Sequence, residues 1–306
     1  MLVRWRRLGW VTWRQHRASL LVVASLFVLT AATMWLSSLD PRGHTEVVRA
    51  AGFDPTGPVL LYQVVVGAMV LLPVVAGLLL GAPLLAHESE SGTVRFAWTQ
   101  QVGRVASLTV KATSIGAGLA IAAAALGLEY DWWAVHRITV GQWDWATMQF
   151  SFHPLPYAGW AVFGFSLGVL IGAVTRRTVP ALAGTFVGYT IVFTFDNVYG
   201  RLRYLPPLRT VVPEVPGGTG GDRLSPGQYG PENVGGGWNW PDGRPLTVSE
   251  TYRSPAWMAR HHVVYWTTSQ PGNRYHLFQF LEFGYLLLLS GLLVAAAIVL
   301  IRRRSA

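Results

Sequence analysis

Apolar and polar positions alternate in long blocks along this chain. Six apolar runs cover roughly residues 18–37, 59–85, 105–128, 155–175, 178–197 and 281–301. An α-helix needs about 20 mainly apolar residues to cross a hydrocarbon core of about 30 Å, and each run meets that length. The pattern therefore predicts an all-α integral membrane protein with six transmembrane helices.

The segment before the first run is basic and aromatic. In "LVRWRRLGWVTWRQHR", one broad helical sector is apolar, while Arg7 and Arg14 lie opposite. Such a pattern is typical of a helix lying along a membrane surface, so residues 1–17 are predicted to form a separate amphipathic helix. The alternative is a frayed basic tail. The apolar sector holds Leu2, Trp5, Leu8 and Trp13.

Two polar regions between the runs carry many aromatic residues. Residues 129–150 contain four tryptophans among acidic residues, which indicates either an aromatic belt at headgroup depth or an aromatic gate for a hydrophobic ligand. The loop 198–280 is dense in glycine and proline, so it is predicted to be a small, irregular extracellular subdomain.

Basic residues flank the runs unevenly. They cluster before the first run, between the second and third, at Arg176 and Arg177, and after the sixth in the tail of segment 281–306. The short loops on the other side hold only Arg42, Arg49 and Arg137. By the positive-inside rule, both termini are predicted to be cytoplasmic, and the loop around 86–104 with them.

Composition supports a membrane class. Of the 306 residues, 51% are hydrophobic and only 13% are charged, against about 25% in soluble domains. The mean hydropathy is +0.35 and the pI is about 10.2. The net charge of +9 is interpreted as a basic cytoplasmic face for anionic lipids, not as a nucleic-acid surface. Without cysteine, the chain has no disulfide, thiol nucleophile or cysteine zinc site.

The candidate chemistry is sparse. Lys111 is the only lysine, and its surroundings lack the glycines of a phosphate-binding P-loop, so these residues contain no such ATPase site. The histidines have no metal-ligand spacing and no nucleophile elbow is present, so no metal and no catalytic residue is assigned. Four acidic residues at predicted span ends are weighed as proton relays and judged peripheral. They are Glu129, Asp131, Asp196 and Glu282.

The most polar short segment, "AHESESGTVRFAWTQQVGR" at 86–104, lies between the second and third runs. From about Gly92 it has a short helical pattern, and Glu88 and Glu90 precede that start, where negative charge suits the helix dipole. A short amphipathic helix between two spans is suited to contact a partner. The alternative is a solvated connector.

The residues of this segment resemble the loop between the second and third spans of ABC-2 type ABC transporter permeases, especially the actinobacterial branch. The stretches "GVLIGAVTRRTVPALAG" at 168–184 and "NRYHLFQFLEFGYLLLLSGLLVAAAIVLIRRR" at 273–304 are similar to the same family. The chain departs from it at His87, where the branch more often has a basic residue. The residues that carry the resemblance are Glu88, Glu90, Gly92, Thr93, Arg95, Ala97, Trp98, Thr99 and Gln100.

The resemblance implies a type V exporter-like subunit with an elbow helix at 1–17, spans one to five within 18–197, and a coupling helix. A separate ABC ATPase would bind ATP and Mg, and the 2+2 complex would contain a permease homodimer in the bacterial cell membrane. The implied ATPase-coupling residues are Glu88, Glu90, Gly92, Thr93, Arg95, Trp98, Thr99 and Gln100.

By the same likeness, spans two and five line the substrate pathway. An apolar, aromatic pathway suits a drug, an antibiotic or a lipid, so multidrug efflux and antibiotic resistance are expected roles. The alternatives are an ATPase-independent secondary transporter or channel, and a membrane-bound enzyme or sensor that uses the 198–280 loop. The pathway candidates are Gln63, Met69, Phe186, Tyr189 and Phe193.

Overall fold

The computed structural model describes six stretches of the chain and is mostly helical. Two compact units are present: a helical unit, with the described residues up to Asp196 and from Gln279 onward, and a sheet unit, Asn197–Phe278. The described stretches are 2–39, 57–90, 104–137, 148–212, 232–251 and 253–305.

Seven long or medium helices account for most of the chain. The six predicted spans are confirmed, because six helical stretches in the described residues are long and apolar enough to cross a membrane. Large apolar side chains such as Ile121, Val179 and Leu288 are exposed on their outer faces, as expected for contact with lipid. The helices are α1 (Leu2–Ser38), α2 (Gly57–Ala76), α3 (Pro83–Glu90), α4 (Arg104–Arg137), α5 (Pro154–Thr175), α6 (Thr178–Phe195) and, at the end of the chain, α9 (Tyr275–Ser305).

The predicted elbow is helical, but it is not a separate helix. Helix α1 runs without a break from Leu2 to Ser38, and its membrane-length portion begins at His16. The reason is that residues 2–38 contain no proline and only one glycine, Gly9, so nothing interrupts the hydrogen-bond ladder where the amphipathic pattern changes to an apolar one.

The second span changes its helix type midway. Helix α2 contains Pro73 and passes into a π-helical segment, Gly77–Gly81, before α3 begins. The N–H of Ala82 donates to the carbonyl oxygen of Gly77 at 2.9 Å, the wider hydrogen-bond spacing of a π-helix. The predicted span 59–85 is therefore three consecutive helical pieces, and it continues to Glu90.

Glycines let the second and fourth spans approach each other at backbone distance. A Cβ atom added at Gly168 would lie 2.5 Å from the carbonyl oxygen of Gly77, and one at Gly164 would lie 2.7 Å from that of Pro73. The same atom at Gly81 would collide with the carbonyl oxygen of Phe165. These glycines recur every four residues, the spacing that brings small residues onto one helix face in membranes.

Hydroxyl side chains within the spans donate hydrogen bonds to backbone carbonyl oxygens of their own helices. The hydroxyls of Thr185 and Ser290 donate to the carbonyl oxygens four residues earlier, each at 2.7 Å. This satisfies a hydroxyl without water, which the hydrocarbon core does not supply. Lys111, near the start of the third predicted span, is buried, with 8% of its surface exposed.

The sheet unit corrects the prediction of an irregular loop. Its three antiparallel strands are β1 (Leu208–Val212), β2 (Glu232–Asn239) and β3 (Val264–Gln270), in the order β1-β3-β2. The central strand β3 is rich in threonine and aromatic residues, which favour strands. In β2, a Cβ at Gly237 would lie only 3.1 Å from the Trp266 ring, so glycine makes room for a cross-strand indole.

Two short helices complete the sheet unit among its described residues. They are α7 (Val248–Thr251) and α8 (Pro255–Arg260). The Ser254 side chain caps α8 by accepting a hydrogen bond from the N–H of Trp257 at 3.3 Å. Before α7, the Glu250 carboxylate accepts hydrogen bonds from both the N–H and the hydroxyl of Thr247. Those bonds lower the pKa of Glu250.

Asp242 makes the turn after β2 sensitive to pH. Its carboxylate accepts hydrogen bonds from the backbone N–H and the Nε of Arg244, at 3.0 Å and 2.6 Å. These bonds lower its pKa below the ordinary value of 3.8. A lowered folded-state pKa stabilises the turn above the unfolded-state value, and this stabilisation is lost as the pH falls through the folded-state value.

We therefore expect hydrogen-exchange protection of residues 240–246, corrected for intrinsic rates, to fall between pH 5 and pH 3. In Asp242→Asn the protection should not change over this range. Because Asp242 is fully exposed, the effect should be small and confined to the turn. An equal pH response in the variant would contradict the prediction.

Candidate functional site

A narrow crevice lies inside the helical unit, between α2, the 3₁₀ turn Met148–Phe152, α5 and α6. Its empty volume is about 150 Å³, and no water-sized space remains within it. That is smaller than the roughly 300–1,000 Å³ of sites for drug-sized ligands. The crevice is therefore closed in this conformation. Its lining residues are Met69, Pro73, Ser151, Phe152, Tyr157, Trp160, Tyr189 and Phe193.

Trp160 on α5 is the centre of an aromatic cluster along the crevice. Its ring centroid lies 4.9 Å from that of Phe193 and 5.8 Å from that of Tyr189, both in edge-to-face geometry. Such arrangements place the positive edge of one ring against the negative face of another. Trp160 and Phe163 are almost fully buried, and Leu286 of α9 packs on the same cluster.

A carboxylate lies behind this cluster. The Nε1–H of Trp160 donates to Oε1 of Glu282 at 2.7 Å, and Glu282 is completely buried. Burying a carboxylate costs several kcal/mol unless charges or hydrogen bonds offset the desolvation. The sequence analysis judged Glu282 peripheral from its place at the end of a predicted span, and the structure shows that its side chain is completely buried there.

Two tyrosine hydroxyls of the crevice are buried. The Oη atoms of Tyr157 and Tyr189 are buried, and neither has a hydrogen-bond partner among the residues that the structure describes. An unsatisfied buried hydroxyl costs about 1–3 kcal/mol.

The structure brings together three of the five predicted pathway residues. Met69, Tyr189 and Phe193 line the crevice. Gln63 is half-buried on α2, almost two turns earlier, and Phe186 is 48% exposed on α6, so neither belongs to it. Sequence reasoning missed Tyr157 and Trp160, and it named Glu282 only as a peripheral acid, although the tryptophan and the acid each stood out inside an apolar run.

The predicted coupling residues fall largely outside the described part of the chain. Glu88 and Glu90 lie in the last turn of α3, which ends at Glu90. They thus end one helix, and the helix predicted to start at about Gly92 is not described. The predicted residues outside the described stretches are Gly92, Thr93, Arg95, Trp98, Thr99 and Gln100.

Helix α3 connects that region to the core through small residues. Ala82 lies directly before α3, and Ala86 lies within it. Together with Ala181 of α6, they form one buried cluster. A Cβ added at Gly172 of α5 would collide with the carbonyl oxygen of Ala82. Because these contacts are between backbones or methyl groups, α3 packs closely on both α5 and α6.

The aromatic region 129–150 is partly described: residues 129–137 belong to α4, and residues 148–150 belong to the 3₁₀ turn Met148–Phe152. Trp132 stacks on Trp35 of α1 with centroids 5.5 Å apart. Nε1–H of Trp133 donates to the Ser37 hydroxyl at 2.7 Å, and His153 pairs with Asp131 at 2.7 Å. These contacts tie α1, α4 and α5 together at one end of the bundle.

Part of the chain matches a known protein-family model. Residues 60–201 match the family model described as ABC-2 membrane transporter related. This supports the ABC-2 type permease family. Comparisons with curated proteins and with solved structures give no match.

The matched region runs from α2 to the 3₁₀ turn after α6, so it includes the crevice, α3 and the predicted coupling loop. An ABC-2 permease is a membrane transport subunit, generally non-catalytic, and implies a partner ATP-binding subunit. The match and the six apolar helices support a multi-pass membrane protein and suggest a permease subunit of an ABC transporter.

Proposed function

We propose that this chain is the membrane-spanning permease subunit of an ATP-binding-cassette exporter. It moves a hydrophobic or amphipathic small molecule, such as a drug, an antibiotic or a lipid, out of a bacterial cell. Both termini face the cytoplasm, and a separate ATPase binds ATP and Mg. Two permeases and two ATPases form the complex. The family match over residues 60–201 is the observation that carries this proposal.

The packing of α3 supports a route by which movement of the ATPase reaches the membrane helices. The ATPase binds the segment 86–104, which begins inside α3, and displaces that helix. Since Gly172 and Ala181 hold α3 against α5 and α6, its movement shifts both helices relative to α2. That shift opens and closes the crevice between them, the rearrangement that couples ATP hydrolysis to transport.

Purification and reconstitution test the proposal. An affinity-tagged chain expressed in its native host should co-purify with a soluble subunit that contains a P-loop, and the complex in proteoliposomes should hydrolyse ATP. Glu90→Ala and Thr93→Ala should each reduce the substrate-stimulated part of ATPase activity several-fold without changing membrane insertion. Ser249→Ala, an exposed position in the sheet unit, is the matched control and should behave like the wild type.

One observation favours a second candidate function. The fully buried Glu282 is the kind of intramembrane carboxylate that ion-coupled secondary transporters use. An experiment with this chain alone distinguishes the two functions. Transport by this chain alone, driven by an ion gradient without any ATPase, would establish a secondary transporter and overturn the exporter.

A further inference from the structure

The hydrogen-bond ladder of the second span is interrupted where α2 passes into α3. Proline has no N–H, so neither Pro73 in α2 nor Pro83 at the start of α3 can donate to the carbonyl oxygen four residues earlier. Between the two prolines lies the π-helical segment Gly77–Gly81, which begins and ends with glycine, a poor helix former. The span is therefore least constrained by its own backbone between Pro73 and Pro83.

The π-helical segment holds one residue more than an α-helical turn would. The N–H of Ala82 donates to the carbonyl oxygen of Gly77, five residues earlier, at 2.9 Å. In an α-helix the acceptor lies four residues earlier, so removal of one residue between these two would let the same bond close an α-helical turn. Single π-helical turns inside longer helices are frequent at functional sites and at bends.

Contacts between backbones hold this segment against α5. A Cβ atom added at Gly77 would lie 2.5 Å from the carbonyl oxygen of Gly164, and one at Gly81 would collide with that of Phe165. Side-chain ridges that pack into grooves fix the angle between two helices, and glycine contributes no ridge. The contact therefore fixes the position of the segment more firmly than its angle.

The two parts of the span on either side of the segment pack on different clusters. Val74 of α2 belongs to the aromatic cluster of Trp160. Ala82 and Ala86, after the segment, pack on Ala181 of α6. The π-helical segment thus connects two parts of one span that have different neighbours.

We infer that the segment Gly77–Gly81 is a joint at which α3 tilts relative to α2, with the glycine contacts to α5 as its pivot. Its role in coupling rests on the proposed transport function, because a displaced α3 needs a point at which it can move without moving α2. The joint itself is a property of this chain, and it is tested without the partner.

Deletion of Leu79 tests the joint directly. Ala82 then follows Gly77 by four residues, so their hydrogen bond closes an α-helical turn. The matched control is Leu79→Ala, which removes the half-buried side chain but keeps the extra residue. Amide hydrogen exchange is measured by mass spectrometry on the full chain in lipid nanodiscs without ATP. Over residues 74–86 it should be about fivefold slower in the deletion variant than in the control, the effect of one recovered hydrogen bond.

Pro83→Ala is a second variant that keeps the chain length. It supplies an N–H to the second span, so exchange over residues 74–86 should again become several-fold slower. Its control is Pro180→Ala, because Pro180 is exposed and lies in the first turn of α6, where an N–H has no acceptor within the helix. The control should exchange like the wild type over these residues.

The coupling role is measured on the complex with its ATP-binding subunit. In vesicles of phosphatidylethanolamine and phosphatidylglycerol, the deletion of Leu79 and Pro83→Ala should each lower ATP hydrolysis several-fold. Leu79→Ala and Pro180→Ala should hydrolyse ATP like the wild type.

Each outcome decides the inference. Unchanged exchange in the deletion variant would overturn the joint, and if that variant does not fold, unchanged exchange in Pro83→Ala would do so. Slower exchange with full ATP hydrolysis would also overturn it, since α3 would then not need to tilt. Slower exchange with no co-purifying ATP-binding subunit would remove the exporter and leave the joint.

Discussion

Gly168→Ala is expected to lower the free energy of unfolding of the helical unit by about 1–3 kcal/mol, the usual cost of overpacking. The new methyl carbon would lie 2.5 Å from the carbonyl oxygen of Gly77 and 2.7 Å from the nitrogen of Ala82. Both are backbone atoms, so no side-chain rotation relieves the contact. The helices must separate, and the glycine contact between α5 and the π-helical segment is lost.

Gly291→Ala in α9 is the matched control, because nothing lies within 4 Å of a Cβ added there. Alanine is the better helix former by about 1 kcal/mol, so this variant should equal or exceed the wild type in stability. Thermal unfolding in detergent, followed by fluorescence, measures both. Equal midpoints for the two variants would show that α5 does not pack on the second span at this distance.

Trp160→Ala should destabilise the helical unit by about 3–5 kcal/mol, the range for removing a large buried aromatic residue. Its indole is fully buried against Phe163, Tyr189 and Phe193. Its loss also takes a hydrogen-bond donor from the buried Glu282. The variant should therefore unfold at a much lower temperature or fail to accumulate in the membrane.

Trp132→Ala provides the comparison within the same bundle. Trp132 is 39% exposed and its ring stacks on Trp35, so its removal should cost about 0.5–1.5 kcal/mol. A milder variant, Trp160→Phe, keeps an aromatic ring and should lie between the two. Similar unfolding temperatures for all three would contradict a central role of Trp160 in the core.

The predicted coupling segment indicates the protein family, although most of its residues lie outside the described stretches. The resemblance at Glu88–Gln100 and the family match at 60–201 agree on the kind of protein. Of these residues, the structure places Glu88 and Glu90 at the end of α3, and the predicted roles of the set stay predictions.

The crevice could be anticipated only in part. Met69, Tyr189 and Phe193 were selected because they lie on two spans that similar permeases use. Tyr157, Trp160 and Glu282 could not be selected this way, because which faces of α5 and α9 turn toward α2 and α6 depends on helix packing. Gly164, Gly168 and Gly172 recur every four residues, and this spacing in the sequence indicates one closely packed face of α5.

By itself, the sequence determined the number and approximate limits of the spans, since the length of an apolar run is a local property set by membrane thickness. The tertiary structure alone decided the sheet in the 198–280 region and the burial of Glu282. Each of these depends on contacts between residues far apart in the chain. A glycine-rich strand forms because aromatic rings of β3 cover it, and a carboxylate is buried because an indole from another helix donates to it.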